Sequence, residues 1–210
     1  MSEFLKAYPH ARQVTLDEVI ESWLEAGGSG ASKKRSDVKV PTPSTAQERY
    51  EQMTKEGGLF LRFLPHCDWY EVVFDVAWFC RVLLIDEASW KHESVGGERR
   101  LADRTELGAL PHDHRARVEQ LRSYPQLESL LDRKATLFGH SPAGDWSILD
   151  GNHRLLALVS LHLRDGRPVK PFSIFVGVSH GPCRWHGDPV EWQERPERNP
   201  GEKRYILKIW

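Results

Sequence analysis

Residues 146–158 read WSILDGNHRLLAL and predict a strand, a tight turn and a helix in that order. The apolar residues before Asp150 are typical of a buried strand, whereas the apolar run from Leu155 to Leu163 favours a helix. Gly151 permits the sharp change of direction between them because it has no Cβ atom. Backbone amides at the start of a helix carry a partial positive charge, so this turn is a candidate anion site.

The side chains of residues 150–154, which we call the DGNHR turn, suit phosphate chemistry. Arg154 offers a planar guanidinium that matches phosphate or carboxylate oxygens. His153 can donate to phosphate or move a proton near neutral pH, and Asp150 can bind Mg²⁺ or act as a base toward a hydroxyl. The same residues also suit a purely structural turn, in which Asp150 caps the helix, Asn152 turns the chain and Arg154 pairs with a surface carboxylate. The residue types alone leave both interpretations open.

The segments around the DGNHR turn predict an α/β protein with a mixed sheet. Strands are predicted at 135–139, 145–149, 171–178 and 205–209, the first two forming a hairpin. Residues 114–132 predict a helix interrupted at Pro125, and residues 91–113 predict a long loop. The apolar segment 69–85 fits either two strands around Asp75 or a strand followed by a helix.

The N-terminal part of the chain predicts two helices and a linker. Thr15 and Glu18 form a capping box at the start of the first helix, which Gly27 and Gly28 end. Residues 44–56 predict a polar second helix, and residues 27–43 are rich in Gly, Ser, Lys and Pro, as linkers are. We therefore expect an N-terminal helical extension at 1–58, with linker 27–43, and an α/β domain at 59–210.

Composition narrows the function classes. The 29 Lys and Arg residues nearly cancel the 30 Asp and Glu residues, so net charge gives no argument for a nucleic-acid or membrane surface. The most apolar run, Val72 to Ile85, contains Asp75 and Arg81 and is too short to span a bilayer. Three widely spaced cysteines and the absence of an apolar signal core lead us to expect a bacterial-type cytoplasmic protein.

The run ILDGNHRLLAL, residues 148–158, resembles the signature of the ParB/sulfiredoxin superfamily, in which a strand leads through such a turn into a helix. The order of elements is also similar: a helix at 114–131, a strand, the signature, and the strand 171–178. The similarity covers residues 114–178 and implies a ParB/sulfiredoxin-like domain. In this superfamily the turn binds nucleotide phosphates.

The resemblance also implies roles for individual residues. The positions that would line the phosphates are Gly151, Asn152, His153 and Arg154. Asp150 would lie near the metal or the substrate hydroxyl. The spelling is closest to that of the free-amino-acid kinases, which implies ATP with Mg²⁺ and phosphoryl transfer to a hydroxyl-bearing metabolite such as an amino acid. These kinases need an acidic residue from an earlier segment as a base, and Glu87 and Glu98 are both candidates.

Departures from the superfamily pattern argue against two of its functions. Sulfiredoxins carry a catalytic cysteine in this turn, where this chain has Asn152. After Val178 the sequence is rich in Pro, Gly and charge and shows no helix-turn-helix region, so we expect a small-molecule substrate and no sequence-specific nucleic acid. Two alternatives stay open: a non-catalytic nucleotide-sensing ParB-like regulator, and a different small-molecule chemistry, including a metal-dependent one, on the same fold.

Residues 180–186 form a weaker constellation. His180, Cys183 and His186 recur at three-residue spacing and are weak candidates for metal ligands, alone or with His112 and His114. The same segment could instead fold over the cleft and contact substrate. The residues for that role are Arg184, Trp185 and His186. A plain surface loop explains the segment equally well.

Overall fold

The computed structural model describes residues 2–25, 45–55, 65–85, 90, 99–104, 110–124, 134–183, 186–188, 192–195 and 204–207. The predicted linker 27–43 lies outside them, as do Glu87, Glu98, Arg184 and Trp185. The α-helices are α1 (Glu3–Ala7), α2 (Leu16–Glu25), α3 (Ala46–Lys55), α4 (His112–Arg122) and α5 (Asn152–Asp165). The strands are β1 (Arg12–Val14), β2 (Cys67–Phe74), β3 (Val82–Leu83), β4 (Thr136–Gly139), β5 (Trp146–Asp150), β6 (Phe172–Ser179), β7 (Trp192–Arg195) and β8 (Arg204–Leu207).

Six strands form one mixed sheet in the order β1-β2-β6-β4-β5-β3. The β4–β6 and β3–β5 pairs are parallel and the other three are antiparallel. The predicted α/β class is therefore confirmed, and β4 and β5 form the predicted hairpin. The strand predicted at 205–209 is present as β8. It pairs with β7 in a separate two-stranded sheet, and β7 was not predicted from the sequence.

The N-terminal segment belongs to the main sheet. β1 forms one edge of the sheet through its pairing with β2, and Phe4 on α1 lies in the core, stacked on Tyr70 at 4.3 Å. The division predicted at residue 58 therefore does not separate this segment from the sheet, because strand pairing and core packing join them. The capping box is present: Glu18 accepts from the Thr15 amide at 2.8 Å, and Thr15 Oγ1 accepts from the Glu18 amide at 3.2 Å.

Both faces of the sheet are covered. Strand residues alternate between faces, and on β5 the residues Trp146 and Ile148 belong to one buried cluster while Leu149 belongs to the other. The first cluster includes five consecutive residues of α5, Leu155 to Val159. The second includes Trp23 of α2 and Met53 of α3. Helix α5 therefore packs on one face of the sheet, and α2 and α3 pack on the other. The DGNHR turn lies between the end of β5 and the start of α5, at the edge of the face that α5 covers.

The apolar segment 69–85 contains a strand, a short helix and a strand. β2 ends at Phe74, and Asp75 caps a 3-10 helix, Val76–Arg81, by accepting from the Ala77 amide at 2.9 Å. β3 follows this helix and pairs with β5. The segment thus contains the two strands of one interpretation and the strand followed by a helix of the other, so each was partly correct. Within the described part of the chain, none of the helices is both long enough and apolar enough for a bilayer crossing.

Candidate functional site

The DGNHR turn requires a glycine at its second position. Gly151 has φ 99° and ψ 15°, a left-handed conformation that side chains disfavour. A Cβ atom there would lie 3.1 Å from the Cβ atom of Ala135 and 3.1 Å from Nη2 of Arg154. As the N-cap of α5, glycine also supplies no side-chain oxygen to the amides of the first helical turn. Close approach of a ligand to this backbone is therefore not obstructed by the residue at the N-cap itself.

Asp150 and Arg154 form an ion pair beside Gly151. Nη2 of Arg154 donates to Oδ2 of Asp150 at 3.0 Å, with 17% and 20% of the two side chains exposed. This differs from the structural interpretation of the turn in one respect, because Asp150 pairs with Arg154 and Gly151 occupies the N-cap position. A carboxylate and a guanidinium thus lie together at the start of a helix, both within reach of solvent.

Asn152 fixes the turn to a neighbouring strand. Its Oδ1 accepts from the Ile85 amide at 3.2 Å, and the residue is buried. This bond satisfies an amide that follows β3 and joins that segment to the first turn of α5. The Oδ1 atom of Asn152 is therefore committed to the fold, and the ligand contacts open to the residue are those of its N–H donors.

His153 contacts a second histidine and a tryptophan. Its Nε2 lies 2.9 Å from Nδ1 of His114 on α4. The ring of Trp90 packs against both histidine rings, with its centroid 4.0 Å from that of His114 and 4.7 Å from that of His153. Burial, with the nearby charges of His114 and Arg117, lowers the pKa of His153 to about 4. At neutral pH His153 is therefore uncharged and adds no positive charge to the turn.

Arg117 adds a positive charge close to the turn. Its guanidinium donates to Oε1 of Gln120 at 2.5 Å and forms no ion pair with any described residue. Its charge is one of the causes that lower the pKa of His153, which places its electrostatic effect at the DGNHR turn. Arg154 compensates the charge of Asp150, so Arg117 is a further positive group that acts on this turn.

His186 lies away from the DGNHR turn. Its Nδ1 is 2.9 Å from Oγ of Ser147, which also accepts from Nη2 of Arg99 at 2.9 Å. Its ring contacts Phe138, which belongs to the cluster on the α2 and α3 face. Ser147 lies three residues before Asp150, roughly 10 Å along the strand. His186 is thus on the opposite face of the sheet from α5. Arg184 and Trp185 lie outside the described residues, so a substrate contact from this loop stays a prediction.

The described residues contain no group of three His, Cys, Asp or Glu side chains that could hold a metal ion. His180 pairs instead with Asp68, at 3.0 Å between Nε2 and Oδ2, and Cys183 is fully buried in the core. His186 contacts Ser147, and His114 contacts His153. The weak prediction of a metal site at 180–186 therefore lacks a ligand set, because its members are held by separate partners.

Comparisons of the chain with protein-family models, with curated proteins and with solved structures gave no match in any of the three. The resemblance to the ParB/sulfiredoxin superfamily therefore depends on the sequence pattern and stays a prediction. Glu87 and Glu98, the two candidate bases, lie outside the described residues and also stay predictions. The residues that sequence reasoning did not place at the turn are Trp90, His114, Arg117 and Ile85.

Proposed function

We propose that this chain binds the phosphates of a nucleotide at the DGNHR turn and transfers a phosphoryl group from ATP to the hydroxyl of a small molecule. The observation that carries the proposal is the Asp150–Arg154 pair beside Gly151, at the start of a buried helix. Phosphoryl transfer needs a group that holds phosphate oxygens and a carboxylate near the hydroxyl or the metal. This pair supplies both within 3.0 Å.

The positive groups divide the phosphate-binding role between them. Arg154 and the first-turn amides of α5 face the same end of the helix, where the helix dipole favours negative charge. Arg117 adds to the positive potential without an ion pair of its own among the described residues. Since His153 is uncharged at neutral pH and the Asn152 side chain is a neutral amide, neither contributes charge to a phosphate.

Asp150 could supply one of the few ligands that Mg²⁺ takes from a protein. Mg²⁺ commonly binds one or two carboxylates together with substrate phosphates and water, so a site without three protein ligands suits it. When bound with the nucleotide, the ion would neutralise phosphate charge. Asp150 would hold it through the carboxylate that now faces Arg154, and Arg154 would turn to the phosphate oxygens.

The first test is nucleotide binding, measured by calorimetry with ATP and Mg²⁺ on the full chain. Arg154→Gln removes the charge beside Gly151 and is expected to weaken binding roughly 10- to 100-fold, the effect of losing a hydrogen bond to a charged group. Arg122→Gln is a matched control because Arg122 also pairs with an aspartate, Asp165, at 2.8 Å near the opposite end of α5. Equal losses of affinity in both variants would refute binding at the turn.

The second test is turnover. The wild-type chain is incubated with ATP, Mg²⁺ and a panel of hydroxyl-bearing amino acids, and release of ADP is measured with and without each one. Substrate-dependent ADP release that is lost in Asp150→Asn supports phosphoryl transfer. Nucleotide binding without ADP release would overturn the kinase assignment and leave a nucleotide-sensing role for the same turn.

A further inference from the structure

The two histidines at the turn form a connected pair that the phosphate-binding groups do not use. His114 Nδ1 and His153 Nε2 are 2.9 Å apart, with ring centroids 5.0 Å apart and planes inclined by 38°. Trp90 is buried and stacked on His114, so it limits the rotation of that ring. A bond of this length between two ring nitrogens requires that one of them carries a proton and the other a lone pair.

The surroundings of His153 disfavour a second proton on its ring at neutral pH. Burial is the main cause that lowers its pKa to about 4, and the positive groups on α4 act in the same direction. A base that becomes cationic only with difficulty is inefficient when it must keep the proton it accepts. It serves better when a second base in direct contact takes the proton onward, and His114 occupies that position.

The charged groups around the pair come from three elements. Arg117 and Asp113 lie on α4, and Asp150 and Arg154 pair with each other at the start of α5. The 3-10 turn Ala102–Arg104 packs against α5 and brings Asp103. Asp113 is fully exposed, so its effect on the pair is screened by solvent.

We propose that His153 and His114 form a proton relay that carries the hydroxyl proton of the substrate away from the DGNHR turn during phosphoryl transfer. The relay rests on the proposed function. As the substrate oxygen forms its bond to phosphorus, the bond from phosphorus to the leaving nucleoside diphosphate breaks, and that diphosphate takes the electron pair. The substrate O–H proton passes to Nδ1 of His153, the proton on Nε2 of His153 passes to Nδ1 of His114, and Nε2 of His114 releases a proton to water.

This sequence fixes the resting tautomers. Both histidines must start with the proton on Nε2, so that His153 donates to His114 and keeps a lone pair on Nδ1. Nitrogen-15 NMR of the histidine rings in the full chain reports the protonated nitrogen directly. A resting His153 that carries its proton on Nδ1 would overturn the relay.

The decisive variant is His114→Asn, which keeps an acceptor close to the position of Nδ1 but cannot pass a proton onward. We expect kcat to fall roughly 100-fold, as for loss of a proton-transfer group, with little change in KM for ATP. Added imidazole should restore part of the rate in His114→Ala, where the ring leaves a space beside Trp90. His112→Asn, an exposed histidine on the first turn of the same helix, is the control and should be unaffected.

The outcomes separate the relay from the function on which it rests. No binding or turnover of nucleotide by the wild-type chain would overturn both. Turnover that persists in His114→Asn at the wild-type rate and with an unchanged pH profile would overturn the relay alone. A fall in kcat accompanied by an equal rise in the KM for ATP, with no rescue by imidazole, would assign His114 a packing role. That outcome would also overturn the relay.

Discussion

The pH dependence of stability gives the sharpest test of the packing at the DGNHR turn. The pKa of His153 falls from 6.5 to about 4 on folding, because burial favours the neutral ring. The unfolded chain therefore binds more protons between these two values, and stability falls as the pH is lowered through that window. The contribution is complete above pH 6.5 and disappears as pH approaches 4. Between pH 7 and pH 5 this single group should remove about 2 kcal/mol from the free energy of unfolding.

The measurement is urea unfolding at several pH values between 7 and 5 for the wild type and for His153→Gln, whose amide can still reach Nδ1 of His114. The pH-dependent loss should shrink by about 2 kcal/mol in the variant. The free energy of unfolding should still fall somewhat with pH in the variant, because burial also lowers the pKa of His186. His162→Gln, on the same helix and bonded to the Arg167 carbonyl, should retain the wild-type slope. An unchanged slope in His153→Gln would refute the burial argument for this residue.

Two further substitutions test the geometry of the turn. Gly151→Ala should destabilise the chain by more than the roughly 1–2 kcal/mol of left-handed strain, because the new Cβ also meets Ala135. Gly166→Ala, at φ 64° with nothing within 4 Å, should show the strain alone, and equal effects in thermal unfolding would contradict this account. Asn152→Ala leaves the Ile85 amide without its acceptor and should cost about 1–3 kcal/mol. Hydrogen exchange should show faster exchange at that amide, and retained protection there would rule the bond out as its stabiliser.

Local signals in the sequence predicted those elements whose conformation is set by residues close together in the chain. Thr15 and Glu18 are three residues apart, so the capping box could be inferred from spacing and is present. The hairpin of β4 and β5 and the helix after Gly151 follow for the same reason, since strand period, turn residues and helix period are all local properties. Segment 69–85 could not be resolved, because apolar strands and buried short helices have the same composition.

Contacts between distant residues escaped prediction. His114 was considered only with His112, as a possible addition to a metal site, whereas its partner, His153, lies 39 residues further along the chain. His186 was one candidate for a substrate contact, and the alternation of β5 places its partner, Ser147, on the face of the sheet opposite α5. No period or motif encodes such pairings, because they depend on how helices and strands pack together.

The sequence by itself determined the DGNHR turn: a strand, a glycine without which the turn would be strained, and a helix whose first residues include Arg154. These features follow from backbone geometry and side-chain patterning over a few residues. Only the tertiary structure decided the state of the side chains. It committed Oδ1 of Asn152 to the Ile85 amide and placed His153 against His114 and Trp90. The physical reason is burial, since the charge of His153 and the availability of Asn152 depend on neighbours that α4 and β3 bring from elsewhere in the chain.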